Sequence, residues 1–328
     1  MNEENIRPEL LINENQKLLK EDIQSLLLRQ SEFVTISCPA CESNNHQSEF
    51  DKNGFNFVKC IPCETYFISP RPTFDLLIDF YENSKCINHW KKIFSVTEDV
   101  RRKEIFTPRA ERVAELCKNN NSPVETLLDV GAGFGTFCEE IMKLNLFKKI
   151  IAVEPSNELA DACRQKKIDV FEKPIEKVDL NSVSVITCFE LIEHLFCPKS
   201  FVLDCVDKLS PGGLFIITTP NIKGFDLLTL GKLARGITGP NHLNYFHPKS
   251  LSKLLIDCGL EIIQILTPGK LDAELVRKKI QSKEFDISNQ PFLKYILIDE
   301  WETYGESFQN FLAENVLSSH LWIVAKKS

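Results

Sequence analysis

No run of about 18 apolar residues occurs in the 328-residue chain, so no membrane-spanning helix is read from it. An excess of positive charge is also missing. Lys and Arg number 39 against 46 Asp and Glu, a formal net charge of −7. That balance argues against a broad phosphate-gripping surface, though a local basic groove stays open. The acidic, amphipathic first thirty residues lack the apolar centre of a secretory signal. Internal repeats and low-complexity tracts are absent. Glycine is sparse at 13 residues, yet three fall within the five positions 131–135. Cysteine is not scarce. Twelve thiols in a long chain with no leader suggest reduced cysteines and a cytoplasmic setting, not a secreted disulfide scaffold.

Apolar residues at helical spacing over 8–30 predict an N-terminal helix that docks on the rest of the protein. Short β-like pieces, "FNFVKC" and "ETYFISP", follow between paired cysteines, and "SPRP" ends that module. From Thr107 helix and strand alternate through "TLLDV", "KIIAVEP", "DVFE", "SVSVITCF" and "LFIITTP", with "PGG" at 211–213 as the turn feeding the last. Such alternation predicts an α/β fold with a mostly parallel sheet. "LEIIQIL" and "SHLWIVAKK" bring the strands to seven, the last expected to enter antiparallel beside "LEIIQIL". The expected organisation is an N-terminal helical segment (1–33), a cysteine module (34–72), a helical linker (73–104) and an α/β domain (105–328) with inserts near 222–248 and 268–317.

"LLDVGAGFGTF", 127–137, is a strand running into a tight glycine turn. It departs from the dinucleotide fingerprint G-x-G-x-x-G, because the third glycine, Gly135, comes one residue early. Asp129 at the strand end would also repel a pyrophosphate, which disfavours an NAD-linked oxidoreductase. A carboxylate there suits a cationic ligand, the ammonium of S-adenosylmethionine. Gly131 and Gly133 let the backbone approach such a ligand, and Glu154, ending the next strand, can accept both ribose hydroxyls.

"CPAC" and "CIPC" place Cys38, Cys41, Cys60 and Cys63 as C-x₂-C…C-x₂-C with 18 residues between, the spacing of a structural zinc site with four cysteine ligands. A module this small needs such a staple. Four thiolates close the coordination shell, so the metal is expected to be structural.

For chemistry, "FELIEHL" sets Glu190, Glu193 and His194 at i, i+3 and i+4, expected on related faces of one helical turn at the carboxyl end of the fourth strand. His194, with an unperturbed pKa near 6.5, is the expected base, with Glu193 expected either to orient it or to contact the substrate. "GPNHLNYFHP" adds His242, Asn244, Tyr245 and His247 in a loop expected to cover the acceptor, and Tyr81, His89 and Trp90 could reach the same pocket.

Together "LLDVGAGFGTF", "IAVEP", "CFELIEHL", "LSPGGLFIITTPN" and "HLNYFHPKSL" resemble class I S-adenosylmethionine-dependent methyltransferases, in particular those acting on sugars and small metabolites. The resemblance covers about residues 105–328 and implies a Rossmann-like seven-stranded sheet. It implies cofactor contacts at Gly131, Ala132, Gly133, Phe134 and Glu154, adenine contacts at Ile175 and Glu176, and Phe189 and Glu190 flanking the methionine part. "YFISPRPT" after the cysteines is similar to the zinc ribbon preceding some sugar methyltransferases. The implied acceptor is a small molecule, foremost a nucleotide-linked sugar. Two rivals are a nucleic-acid or protein methyltransferase gripping its target with the ribbon, and a non-catalytic cofactor-binding assembly protein. Against the first, residues 35–95 hold seven acids and six bases. The Asn/Asp-Pro-Pro-aromatic motif of amino-group methylators is missing as well. Cys188 lacks the companion Pro-Cys motif of a covalent cytosine mechanism.

Overall fold

Strands β1 (His46–Lys52), β2 (Phe55–Cys60) and β3 (Tyr66–Ile68) form an antiparallel meander in a computed structural model that describes residues 3–328. Residues 1 and 2 of the expected N-terminal segment lie outside the described residues. The main sheet contains β4 (Thr126–Val130), β5 (Lys149–Val153), β6 (Asp169–Phe171), β7 (Val183–Phe189) and β8 (Leu209–Pro220). The two-residue β9 (Asn244–Tyr245) pairs with β3, and β10 (Leu260–Leu266) and β11 (His320–Lys327) complete the main sheet.

The seven strands run in the order β10-β11-β8-β7-β4-β5-β6. Strands β4 to β8 are mutually parallel, and β11 lies antiparallel between β8 and β10. The central strands "TLLDV" and "VSVITCF" are buried almost throughout, as expected of inner strands of a parallel sheet. Strand order reverses between β4, which leads to β5, and β7 on its other side. The carboxyl ends of β4 and β7 therefore flank the crevice in which open α/β sheets take ligands.

"PGG" is not a turn ahead of the eighth strand. Gly212 (φ +76°) sits in a bulge inside β8, where pairing with β7 jumps from Val183↔Leu209 to Val185↔Leu214.

The cysteine module is not a separate bead. Cys38, Val58, Cys60 and Phe67 share one apolar cluster with Leu128, Ile186, Ile217 and Phe246 of the α/β domain. Strand β9, from the insert after β8, adds to its sheet through Tyr66↔Tyr245 and Phe67↔Asn244. The helix Glu9–Leu27 packs on the helix Lys85–Val96. Ile12, Ile23 and Leu26 are buried, whereas Leu10 and Leu28 of the predicted apolar face point to solvent. Asp22 fastens this contact, accepting from Ser84 Oγ at 2.7 Å and Cys86 N–H at 2.8 Å.

Candidate active site

Three left-handed glycines shape the loop after β4: Gly131 (φ +77°), Gly133 (φ +56°) and Gly135 (φ +70°). A Cβ on Gly135 would stand 2.9 Å from Cys163 Sγ and 2.8 Å from Ile168 Cδ1, so this glycine lets the helix Asn157–Gln165 come close. A Cβ on Gly131 would meet Leu191 Cδ2 at 2.9 Å, which brings the loops after β4 and β7 into contact. A Cβ on Gly133 would meet nothing within 4 Å. That position opens on free space, as a ligand cradle requires.

Glu154 closes the cradle. Its Oε2 accepts from Gly133 N–H at 2.8 Å and its Oε1 from Ser156 N–H at 3.0 Å, leaving further lone pairs on both oxygens. Burial raises its pKa, and the two N–H donors oppose that. Asp129 lies lower, buried and engaged. Oδ1 accepts from Thr187 Oγ1 at 2.7 Å, and the Cys138 thiol approaches Oδ2 at 3.5 Å. Burial pushes its pKa up to about 6. Ala132 and Phe134 are half-buried in the loop, Ile175 is buried in a single turn after β6, and its neighbour Glu176 is exposed.

Phe189 ends β7 with its ring edge-on to Phe137 at 4.8 Å. Over it stands a group not singled out from sequence. The Arg109 guanidinium lies 4.4 Å from the Phe189 ring centroid, is 9% exposed, and has no ion pair or hydrogen bond among the described residues. The charges of Glu190 and Asp129 act on it. Glycine cradle, paired-off carboxylate and unpaired cation together fit a ligand with a ribose and an amino-acid end, as S-adenosylmethionine has.

The predicted helical turn over 190–194 is shorter than expected. Only Ile192–His194 form a 3₁₀ turn, and Glu190 precedes it at φ +52°. Glu190 consequently leaves the shared face. It accepts from Thr218 Oγ1 at 2.7 Å and lies 3.4 Å from His320 Nδ1. Glu193 and His194 do meet, with Oε1 and Nε2 4.0 Å apart. Glu193 is 1% exposed. Its Oε2 accepts from Thr219 Oγ1 at 3.0 Å, and its Oε1 has no hydrogen-bond partner. Burial, reinforced by Glu190, raises its pKa well above the usual carboxylate range.

His194 Nδ1 lies 2.5 Å from the Asn241 carbonyl, which accepts a hydrogen bond only from an Nδ1–H tautomer and leaves Nε2 with its lone pair. His242 repeats the arrangement with its Nδ1 3.1 Å from the Gly236 carbonyl. The two rings meet edge-on at 4.8 Å, and Tyr81, whose hydroxyl donates to Asn241 O at 3.1 Å, closes on His194 at 6.4 Å. Glu193, His194 and His242 present ligand-type atoms all within 4.8 Å of one another. Burial lowers both imidazole pKa values, and the neighbouring His194 helps to carry His242 down to about 3.

Other residues expected here serve the loop. The buried Tyr245 hydroxyl accepts from Thr238 N–H at 2.7 Å. Asn244 accepts from Arg71 and donates to Leu195 O at 2.7 Å, which braces the 192–195 turn. His247 contacts the Cys63 carbonyl. His89 turns to Glu14 of the N-terminal helix at 3.2 Å, and Trp90 packs on Phe94.

The four paired cysteines converge. Their Sγ atoms lie within 4.8 Å of one another, with Cys38–Cys63 and Cys41–Cys60 each at 3.5 Å. Thiolates about 2.3 Å from one zinc would stand roughly 3.8 Å apart, so this cluster fits the ion. Both knuckles turn alike: Glu42 N–H donates to Cys38 O and Glu64 N–H to Cys60 O, with Glu42 and Glu64 at φ +61° and +58°.

The family profile described as methyltransferase domain matches residues 101–265. Among curated proteins, the chain is similar to the ubiquinone biosynthesis O-methyltransferase of Rickettsia canadensis, 28% identical over 170 residues, covering 48% of this chain and 72% of that protein. It is also similar to the protein of the same name from Cupriavidus pinatubonensis, 23% identical over 154 residues, covering 42% and 61%. A solved S-adenosylmethionine-dependent methyltransferase from Clostridium acetobutylicum superposes with a TM-score of 0.48 at 12% identity, covering 74% of this chain and 100% of that one. An O-methyltransferase from a Brevibacillus brevis multienzyme, bound to S-adenosylhomocysteine, gives 0.45 at 17% identity, covering 72% and 77%.

Proposed function

Because the chain belongs to the methyltransferase-domain family and is an S-adenosylmethionine-dependent methyltransferase, we propose that it methylates a hydroxyl group of a small molecule with His194 as the base. The observation that carries this reading is the His194–Asn241 hydrogen bond, which pins the ring and frees Nε2 beside Glu193 and His242 at the carboxyl end of β7. S-adenosylmethionine, when bound, supplies a methyl carbon made electrophilic by its sulfonium. Glu154 and Gly133 would hold its ribose, and Arg109 its carboxylate. His194 Nε2 takes the acceptor proton, and the loop 236–247, tied down through Tyr81, Tyr245 and Asn244, keeps water out. Of the two imidazoles His194 is the stronger base, since His242 is carried to about 3 and scarcely binds a proton at neutral pH.

An oxygen acceptor agrees with the printed name of the curated relatives, ubiquinone biosynthesis O-methyltransferase. A nucleotide-linked sugar gains no support from them, and we keep the acceptor at the level of a small hydroxylated metabolite. We further propose that Cys38, Cys41, Cys60 and Cys63 hold a structural zinc ion whose module, through β3 and β9, holds the acceptor loop. The test is methyl transfer from isotopically labelled S-adenosylmethionine into separated small-molecule, protein and nucleic-acid fractions of a cell extract. Label in a small metabolite, lost in His194→Ala, is expected. Label confined to protein or nucleic acid would overturn the reading.

A further inference from the structure

Proton abstraction needs one imidazole, yet the turn after β7 and the acceptor loop bring three donor groups together. His194 and His242 are posed alike. Each sets Nδ1 against a backbone carbonyl, Asn241 O at 2.5 Å and Gly236 O at 3.1 Å, which leaves each Nε2 with its lone pair. A histidine that ligates a metal is held in this way, with one ring N–H donated to a carbonyl and the other nitrogen free. The third group is Glu193. Its Oε2 is taken up by Thr219 at 3.0 Å, while Oε1, on a side chain 1% exposed, has no hydrogen-bond partner. Orienting His194 does not satisfy this oxygen, because its 4.0 Å separation from Nε2 is too long for a hydrogen bond. A buried carboxylate oxygen without a donor is costly.

The backbone locks the three groups together. Leu243 N–H donates to Glu193 O at 2.8 Å, so His242 sits one residue from a direct bond to Glu193, and its own N–H donates to Thr238 O at 2.9 Å. The His194 and His242 rings meet edge-on with centroids 4.8 Å apart, and one donor atom from each of the three residues lies within 4.8 Å of the others. Nitrogen and oxygen ligands about 2.0–2.1 Å from a tetrahedral zinc stand roughly 3.4 Å apart, so small side-chain rotations close the set on an ion. The His194 side chain is 28% exposed, which leaves an entry path.

We propose that Glu193 Oε1, His194 Nε2 and His242 Nε2 form a second, exchangeable zinc site, and that zinc bound there switches methyl transfer off. This deepens the reading above and rests on its assignment of His194 as the base. Two imidazoles and one carboxylate with an open fourth position suit zinc. Three such donors hold the ion less tightly than four thiolates do. Desalted protein therefore keeps only the cysteine-bound zinc, and the second ion comes and goes with its free concentration. Zinc on Nε2 occupies the lone pair that takes the acceptor proton, so the hydroxyl loses its base.

The probe is Co²⁺, a coloured stand-in for zinc, titrated into desalted full-length protein whose cysteine site is filled with zinc. One equivalent should bind, with the ligand-field bands of nitrogen and oxygen ligation and no sulfur-to-cobalt charge transfer, and added zinc should displace it. Affinity should fall at least tenfold in His194→Ala, His242→Ala and Glu193→Gln, each binding S-adenosylhomocysteine within about threefold of the parent as proof of folding. If a variant does not fold, the spectrum of the parent decides alone. Absence of binding, a sulfur-ligated spectrum, or affinity unchanged in His242→Ala and Glu193→Gln overturns the site. For the switch, zinc at ten times its dissociation constant should cut label transfer into the small-metabolite fraction about tenfold, the share of protein left unbound, and a chelator should restore it. Transfer unchanged or raised with zinc bound overturns the switch. Failure of the base reading shows separately, as undiminished transfer by His194→Ala in metal-free buffer.

Discussion

The backbone N–H of Gly133 donates to Glu154 Oε2 at 2.8 Å, so the one glycine of the loop whose missing side chain leaves open space is fixed by the acid that ends the next strand. This bond sets the width of the cradle. Glu154→Ala should weaken S-adenosylhomocysteine at least tenfold by removing both the ribose acceptor and the loop's anchor. Gly133→Val should abolish binding, because its Cβ enters the cradle and φ +56° strains a β-branched residue. Calorimetry reads both, with NAD as the control expected not to bind. Retained affinity in Gly133→Val would place the cofactor elsewhere.

The register Phe67↔Asn244 ties the cysteine cluster to the acceptor loop. Elemental analysis should find about one zinc per chain, and any one of Cys38→Ser, Cys41→Ser, Cys60→Ser or Cys63→Ser should lose it. Because Asn244 also braces the turn carrying His194, turnover should fall with the metal while S-adenosylhomocysteine affinity changes little. Full turnover in a zinc-free variant would show that the module does not position the loop.

Much of this architecture is legible in the chain because its signals are local. Alternating apolar segments mark all seven strands of the main sheet, and the glycine spacing and Glu154 lie within 23 residues. What escapes depends on contacts made at long range. Arg109 reads as an ordinary helix residue in "TPRAERV" until β7 brings Phe189 beneath it. Tyr245 looks like a pocket aromatic, yet pairing of β9 with β3 buries it and gives its hydroxyl to Thr238. Glu190 leaves the expected face because its φ of +52° breaks the turn before it begins, a backbone choice that residue type does not announce. The pairing of Arg102 with Glu140 is likewise made across 38 residues of chain.

Buried Asp226 gives a stability test that does not involve the active site. Burial and the neighbouring Asp272 raise its pKa from 3.8 to about 7, while Asp272 itself takes hydrogen bonds from Ser318, Ser319 and Gln309. A raised carboxyl pKa means that stability is fully present below the unfolded value and is lost as pH rises through about 7. Asp226→Asn should therefore raise the melting temperature at pH 8.5 and raise it clearly less at pH 5, which lies between the unfolded and folded values. An equal shift at both pH values would assign the effect to packing.

The base assignment makes the most exposed claim. His194 donates through Nδ1 to Asn241 O, so only its Nε2 can take a proton, and burial lowers its pKa below the ordinary value. At neutral pH the ring is therefore already in its active form. The rate should be flat around pH 7–8 and fall only on acidification below about 6.5, the unperturbed imidazole value. His194→Ala should cost about 10²–10⁴ in kcat, the range for loss of a general base, with S-adenosylhomocysteine affinity within a few-fold. Glu193→Gln should cost far less, because an amide oxygen preserves the contact with Thr219 and Glu193 only orients the ring. His242→Ala separates the two rings. With a pKa near 3, His242 cannot produce an acid limb that begins just below about 6.5, so that limb should survive in His242→Ala and vanish in His194→Ala. The reverse pattern would transfer the base to His242 and leave His194 as the ring that orients it.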